Sequence, residues 1–217
     1  CKNFILLFCK DYLKILTYHY KLRNMEGFMG KDSSNTPKVF LLDVDGVMTT
    51  GQFSYTAEGK SMKIFGPDDN DALSLLKNLI EIRFITGDKN GIEITKRRIV
   101  DDMKYPLDTV SVLKRIDWIS EHYNPKEVIY MGDGIFDHFV FKKVGFSIAP
   151  ANADRIAKSH ANYVTERTGG DRAVAATAAA FLSAGVCPLN VLVGANSPNL
   201  CPTISSEIVI GIKDFPL

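Results

Sequence analysis

The stretch Val39-Phe40-Leu41-Leu42-Asp43-Val44-Asp45-Gly46-Val47 joins a short apolar run directly to two acidic residues. Four consecutive apolar residues are typical of a strand buried on both faces, as the strands of parallel sheets are. The two acids then follow the carboxyl end of that strand. Because ligands of open parallel sheets bind outside the carboxyl ends of the strands, this stretch predicts both a fold class and the place of a site.

Downstream, the chain alternates predicted strands with predicted helices. A β-hairpin is predicted over 52–64, around Gly59. Further strands are predicted at 82–86, 107–110, 127–131, 146–148 and 162–164, and helices at 71–80, 91–103, 111–123, 135–144, 152–159 and 171–182. This order predicts an α/β fold, a three-layer sandwich with a parallel Rossmann-like sheet and helices on both faces.

The chain of 217 residues divides into one predicted domain and two extensions. The α/β pattern covers residues 37–186, whereas an N-terminal extension, 1–36, and a C-terminal extension, 187–217, do not continue it. The apolar stretch 3–9 is too short to span a bilayer. The formal net charge of +1 indicates neither a nucleic-acid partner nor a membrane partner.

Cysteines occur four times, all near the ends of the chain, at Cys1, Cys9, Cys187 and Cys201. Their spacing does not fit a zinc site, and a chain with a core of its own needs no disulfide framework. We therefore expect free thiols in a reducing, cytoplasmic environment.

Three predicted strands end in polar residues of one chemical type. Asp43 and Asp45 follow the first strand, Thr86-Gly87-Asp88 ends the second, and Gly132-Asp133-Gly134 follows the third, with Asp137 shortly after it. Carboxylates gathered at one sheet edge form a hard oxygen site. Such a site suits Mg²⁺, which takes few carboxylates and keeps water and phosphate oxygens as its other ligands.

These motifs resemble those of the haloacid dehalogenase superfamily, in which Asp-x-Asp-Gly follows an apolar strand. The resemblance covers about residues 38–184 and implies a phosphatase that acts on a small phosphorylated metabolite. It implies that Asp43 attacks phosphorus and forms an aspartyl-phosphate. Asp45 is implied to protonate the leaving alcohol and then to activate the hydrolytic water.

The resemblance also implies the ligands of the metal and the phosphate. Mg²⁺ would be held by Asp43, Asp133 and the backbone carbonyl of Asp45, with Asp137 orienting the metal shell. Thr86, Gly87 and a lysine would bind the phosphate. Candidates for that lysine are Lys114, which is favoured, Lys89 and Lys104.

Within the superfamily, the hairpin, the run 82–87 and the ending 162–165 with Gly169-Gly170 are similar to one subfamily. It contains the 3-deoxy-D-manno-octulosonate 8-phosphate phosphatases and the related domain of the acylneuraminate cytidylyltransferases. This similarity implies a hairpin in place of a cap domain, and a homotetramer in which a neighbour's hairpin covers the open site. A phosphosugar acid becomes the expected substrate class.

Three other interpretations fit the sequence less well. An EF-hand loop that started at Asp43 would need Glu at its twelfth position, where Ser54 stands. A receiver domain would carry its phosphorylated Asp after a later strand than its acidic pair. A catalytically silent interaction module would usually have lost the first or second acid, and both are present.

Overall fold

The computed structural model describes residues 37–183. The predicted extensions, 1–36 and 187–217, and all four cysteines lie outside this range. The division into domains and the cytoplasmic location therefore stay predictions.

Eight strands and six α-helices follow one another along the described residues. In chain order they are β1 (Val39–Asp43), β2 (Thr49–Thr56), β3 (Gly59–Phe65), α1 (Asp69–Leu76), β4 (Glu81–Thr86), α2 (Ile92–Lys96), β5 (Leu107–Thr109), α3 (Arg115–His122), β6 (Val128–Met131), α4 (Asp137–Phe141), β7 (Phe146–Ala149), α5 (Arg155–His160), β8 (Tyr163–Val164) and α6 (Ala173–Ser183). A π-helical turn (Arg97–Asp102) follows α2, and 3₁₀ turns precede α3 (Val112–Lys114) and β6 (Pro125–Glu127).

Six strands form one parallel sheet in the order β5-β4-β1-β6-β7-β8. The chain builds outward from β1 through β4 to β5, then returns to add β6, β7 and β8 on the other side. This reversal leaves a crevice at the carboxyl ends of the central strands, where ligands bind in such sheets. The remaining strands, β2 and β3, pair as an antiparallel hairpin. The predicted α/β fold with a small hairpin is confirmed.

Alternate residues of β1 face two separate cores, which explains its uninterrupted apolar run. Phe40 and Leu42 pack with residues of α1 and α6 on one face of the sheet. Val39 and Leu41 pack with residues of α3, α4 and α5 on the other. Fully burying one apolar side chain of this size contributes about 1.5–3 kcal/mol, so both faces hold β1 at the centre of three layers.

The segment predicted as one helix over 111–123 starts with a different geometry. It opens as the 3₁₀ turn Val112–Lys114 and becomes α-helical only at Arg115. A 3₁₀ turn winds three residues per turn instead of 3.6, so it changes the direction in which neighbouring side chains point. This change decides which basic residue of the segment reaches the site.

Among residues 37–183, no helix combines the length and the apolar character needed to cross a membrane.

Candidate active site

The predicted polar strand ends meet at the carboxyl edge of the sheet. β1 lies between β4 and β6, with Asp43 in register with Ile85 and Leu42 in register with Met131. Asp43 therefore lies beside Thr86, at the end of β4, and near the loop that follows β6. This edge brings together carboxylates from the β1 and β6 ends.

Three of these carboxylates form a compact cluster. Oxygens of Asp43, Asp133 and Asp137 all lie within 4.8 Å of one another. Asp43 and Asp137 are buried, and Asp133 is half-buried. Gly46 leaves room for this cluster, because a Cβ at residue 46 would lie 1.9 Å from Asp133 Oδ2. The site is therefore built so closely around the carboxylates that the turn after β1 needs a glycine.

Arg115, at the start of α3, is the cation that holds the cluster together. One of its guanidinium nitrogens lies 2.6 Å from Asp43 Oδ2 and 2.8 Å from Asp137 Oδ1. The same nitrogen donates to the Tyr130 hydroxyl at 2.6 Å, and that hydroxyl donates to Asp137 Oδ1 at 2.7 Å. Asp137 Oδ2 accepts the Gly134 amide at 2.8 Å. Asp137 is thereby fixed by three donors.

The cluster carries more negative charge than Arg115 offsets. Burial, together with the charges of Asp43 and Asp137, raises the pKa of Asp133 to about 8. Burial also raises the pKa of Asp43 to about 6, against the opposing effect of Arg115. A divalent cation between these oxygens would stabilise both carboxylates in their charged form and so oppose the effects of burial and of mutual repulsion on the two pKa values. Hard carboxylate oxygens are the donors that Mg²⁺ prefers, so the residues present fit such an ion.

Asp45 lies outside this cluster and has a different partner. Lys63, on β3, donates a hydrogen bond to Asp45 Oδ2 at 3.0 Å, and its ammonium lies 2.8 Å from Oδ1, out of line for a second bond. Thr86 donates to Asp45 Oδ2 at 3.4 Å. The carboxylate of Asp45 is thus held beside the end of β4. The predicted role of its backbone carbonyl as a metal ligand stays a prediction.

The predicted phosphate-binding residues differ in how they are placed. Thr86 is buried, and its hydroxyl accepts the Asp88 amide at 3.1 Å, which fixes the turn after β4. Gly87 is exposed in that turn, and a Cβ there would lie 3.4 Å from a methyl of Val112. Both lie at the same end of β4 as the Asp45 carboxylate, and their predicted contacts with phosphate stay predictions.

Lys114, the favoured lysine, lies away from the carboxylate cluster, and its predicted contact with phosphate stays a prediction. Its side chain is 74% exposed, and its ammonium pairs with Asp117 at 3.3 Å. Arg115, the next residue, is 2% exposed and reaches Asp43. The physical reason is the 3₁₀ turn, which ends at Lys114 and leaves Arg115 as the first α-helical residue. The alternatives Lys89 and Lys104 are exposed.

A second charged group, which the sequence analysis missed, lies between the hairpin and β4. The buried ammonium groups of Lys60 and Lys63 contact Asp88 Oδ2 at 2.6 and 2.8 Å. Although burial alone would raise it, these two lysines lower the pKa of Asp88 to about 2. The Lys60 ammonium also lies 3.4 Å from the centre of the Phe53 ring. No sequence motif marks these lysines, because their burial results from the packing of the hairpin.

Glycines pack the loop after β8 against the turn after β1. A Cβ at Gly169 would lie 1.8 Å from the Gly46 carbonyl oxygen, and one at Gly66 would lie 2.3 Å from the Gly170 carbonyl oxygen. Gly46 and Gly170 also have positive φ angles of 84° and 70°, which favour glycine. The Gly169-Gly170 pair singled out in the sequence thus supports the turn that carries Asp45.

Comparison with known proteins identifies the family. A model of haloacid dehalogenase-like hydrolases matches residues 109–176. The 3-deoxy-D-manno-octulosonate 8-phosphate phosphatase KdsC of Salmonella typhi is 31% identical over 147 residues, which cover 63% of this chain and 74% of that protein. The N-acylneuraminate cytidylyltransferase A of Danio rerio is 25% identical over 160 residues, covering 68% of this chain and 35% of that protein.

A solved structure agrees with these relatives. The cobalt-bound form of the deoxy-D-mannose-octulosonate 8-phosphate phosphatase from Haemophilus influenzae has a TM-score of 0.61 and 27% identity, and covers 69% of this chain and 90% of that chain. The acidic strand ends, the parallel sheet and these similarities lead to the same assignment. The chain belongs to the family of the 3-deoxy-D-manno-octulosonate 8-phosphate phosphatase KdsC, within the haloacid dehalogenase-like hydrolases, and is a phosphatase of that type.

Proposed function

We propose that the chain is a Mg²⁺-dependent phosphomonoesterase that hydrolyses a phosphosugar acid through an aspartyl-phosphate at Asp43. The observation that carries this proposal is the pairing of two carboxylates with different surroundings. Asp43 lies in the buried cluster with Asp133 and Arg115, whereas Asp45, two residues on, is held by Lys63 and Thr86. This difference supports a role for Asp43 in attack and for Asp45 in proton transfer.

In the first step, a carboxylate oxygen of Asp43 forms a bond to phosphorus while the bond from phosphorus to the leaving oxygen breaks. Asp45 gives its proton to that oxygen, so that the product leaves as an alcohol. In the second step, water attacks the phosphorus of the aspartyl-phosphate and Asp45 takes up the water's proton. The bond to Asp43 breaks, and the carboxylate is restored as inorganic phosphate leaves.

The chain's own charges support each step. Arg115 contacts Asp43 Oδ2, so it keeps one oxygen of the nucleophile fixed while Oδ1, which accepts the Val44 amide at 2.8 Å, is also held. A fixed carboxylate loses little freedom on reaching the transition state. Asp43, Asp133 and the Asp45 carbonyl are the groups that would hold Mg²⁺. When bound, the ion offsets negative charge on the phosphate oxygens.

The proposed substrate class is drawn from relatives and supported by the site. Relatives 30–31% identical carry the name 3-deoxy-D-manno-octulosonate 8-phosphate phosphatase, whose substrate is a phosphorylated sugar acid. In this chain, the hairpin carries two buried cations, Lys60 and Lys63, beside the Thr86 end of the site. Because these ammonium groups offset the charges of Asp88 and Asp45, they reduce the repulsion that an anionic substrate would meet there.

We also propose a homo-oligomer, with a tetramer as the expected form. The hairpin exposes large apolar side chains, those of Tyr55, Met62 and Ile64. Contiguous exposed apolar groups are typical of surfaces that bind another protein. A second copy of the chain that docked here would cover the hairpin and could exclude water from the open site. Light scattering coupled to gel filtration tests this: the double variant Tyr55→Glu and Ile64→Glu should run as a smaller species than wild type.

The proposal is tested by phosphate release from a panel of phosphorylated sugars and sugar acids, with Mg²⁺ and with a chelator. Wild type is compared with Asp43→Asn, which keeps the size of the side chain and removes the nucleophile. We expect Mg²⁺-dependent release that is fastest for a phosphosugar acid and is lost in Asp43→Asn. Release that persists in Asp43→Asn, or that is unaffected by the chelator, would contradict the proposal.

A further inference from the structure

The Lys63 ammonium makes polar contacts with three residues outside the hairpin. Its side chain is completely buried, although most residues of β3 are exposed or half-buried. Burying an ammonium is costly unless charges and acceptors surround it. In this molecule it donates to Thr95 at 2.8 Å and to Asp45 Oδ2 at 3.0 Å, and it pairs with Asp88 at 2.8 Å.

These three contacts come from three different parts of the site. Asp45 follows β1, Asp88 follows β4, and Thr95 lies on α2. The Thr95 hydroxyl is itself fixed, since it donates to the Gly91 carbonyl at 3.2 Å. Of the three N–H donors of this ammonium, two are used by Asp45 and Thr95, while Asp88 provides the opposite charge of an ion pair. The position of the ammonium is therefore set by these three residues and not by the flexible lysine stem alone.

We propose that Lys63 is the positioning residue for the acid/base Asp45, so that the seating of the hairpin sets the catalytic geometry of that carboxylate. This inference rests on the proposed function, because it assigns Lys63 to the proton transfer made by Asp45. In that step the Asp45 proton moves to the leaving oxygen as the bond from phosphorus breaks. The Lys63 ammonium takes no part in the transfer and keeps the Asp45 carboxyl turned toward the end of β4.

Lys60 provides a matched comparison on the same strand. It is also a buried lysine of the hairpin, and it pairs with the same oxygen of Asp88, at 2.6 Å. Its ammonium contacts the Phe53 ring, whereas Asp45 is contacted by Lys63. If the two lysines only hold the hairpin against the rest of the domain, replacing either one should affect the reaction in the same way. If Lys63 positions the acid/base, only its removal should impair proton transfer.

The dependence of the rate on the leaving group separates these two roles. An alkyl phosphate needs a proton on its leaving oxygen, whereas p-nitrophenyl phosphate leaves as a stable anion and needs none. General acid catalysis contributes about 10²–10⁴-fold, and a residue that acts through the acid should contribute less than that. Because both substrates share the second step, the comparison uses kcat/KM, which reports the first step alone. We expect Lys63→Met to lower kcat/KM for an alkyl phosphate about 10–100-fold while lowering kcat/KM for p-nitrophenyl phosphate less than about threefold.

The experiment compares wild type, Lys63→Met and Lys60→Met on both substrates with Mg²⁺, and measures kcat and KM separately. Lys60→Met should leave the ratio of the two kcat/KM values as in wild type. Thr95→Val removes one acceptor of the Lys63 ammonium and provides a second test if Lys63→Met does not fold. It should show a smaller loss that is again selective for the alkyl phosphate.

An equal loss of kcat/KM for both substrates in Lys63→Met, or in Thr95→Val if only that variant folds, would overturn the inference. An equally selective loss in Lys60→Met would also overturn it. A wild-type protein that hydrolyses neither substrate would count against the proposed function itself. Failure of the inference about Lys63 can therefore be distinguished from failure of the proposed function.

Discussion

Replacing Arg115 with methionine should strongly destabilise the protein when no metal is bound. The guanidinium is 2% exposed and contacts Asp43 at 2.6 Å and Asp137 at 2.8 Å. Methionine fills part of the space but leaves two buried carboxylates and the Tyr130 hydroxyl without this donor. Removing one member of a buried, hydrogen-bonded ion pair costs about 3–5 kcal/mol. For a chain of this size, that loss lowers Tm by roughly 6–20 °C.

The assay is urea unfolding followed by circular dichroism, with a chelator present, so that no added cation substitutes for the guanidinium. Arg97→Met is the matched control, because its guanidinium is 73% exposed and pairs with Asp101 and Asp102 on the surface. That control should change the free energy of unfolding by less than about 0.5 kcal/mol. The cost of Arg115→Met should shrink as pH falls, because without the guanidinium burial raises the pKa of Asp43 above its wild-type value of about 6 and the protonated carboxyl needs no counter-charge. An Arg115→Met protein within about 1 kcal/mol of wild type at pH 8 would refute the role of Arg115 as counter-charge of the cluster.

Three further predictions concern the metal, the turn after β1 and Lys114. The folded-state pKa values of Asp133 and Asp43 are raised to about 8 and about 6, from 3.8, so the metal-free fold binds more protons than the unfolded chain. The free energy of unfolding should therefore fall as pH rises from about 4 to about 8, and Mg²⁺ should reduce this fall. Urea unfolding across that pH range, with a chelator or with Mg²⁺, measures both dependences. An equal fall with pH under the two conditions would contradict the prediction. Gly46→Ala should lower Mg²⁺ affinity and kcat more than about 100-fold, because its Cβ would lie 1.9 Å from Asp133 Oδ2. The control Gly59→Ala also changes a glycine of positive φ, 124°, but its Cβ would have nothing within 4 Å, so kcat should stay within about threefold of wild type. Calorimetric titration with Mg²⁺ and phosphate release measure the two quantities, and similar losses in the two variants would argue against a steric cause. Lys114→Met should keep kcat and KM within about twofold of wild type, because the Lys114 ammonium pairs with exposed Asp117. A decrease in kcat/KM of tenfold or more would instead support the predicted role of Lys114 in binding phosphate.

The sheet and the acidic strand ends could be predicted because they follow from local patterns. A continuous apolar run such as 39–42 indicates a strand buried on both faces, and the structure places its side chains in two cores. Parallel strands end at one edge, so Asp43 and Asp133 were expected to lie close together although they are far apart in sequence. Their carboxylates do share one cluster. Strand ends therefore locate a site without any knowledge of its tertiary contacts.

The basic residues could not be predicted in the same way. Lys114 and Arg115 are neighbours, and only the change from a 3₁₀ turn to an α-helix decides which of them points inward. Lys63 lies in a strand whose side chains are mostly exposed, and its burial depends on how the hairpin packs against Asp88 and Thr95. Such contacts between distant segments leave no periodic signal in the sequence. A long, flexible cation also reaches several possible partners from one backbone position.

The central claim is that phosphate passes through a covalent bond to Asp43, and Asp45→Asn allows that bond to be observed. With p-nitrophenyl phosphate, the first step needs no proton from residue 45, whereas hydrolysis of the aspartyl-phosphate needs its base. Mixing this variant with the substrate and Mg²⁺ should therefore release a burst of about one nitrophenolate per site. Borohydride should then convert residue 43 to homoserine, as identified by mass spectrometry. Continued turnover with neither a burst nor homoserine at residue 43 would contradict a covalent intermediate at Asp43.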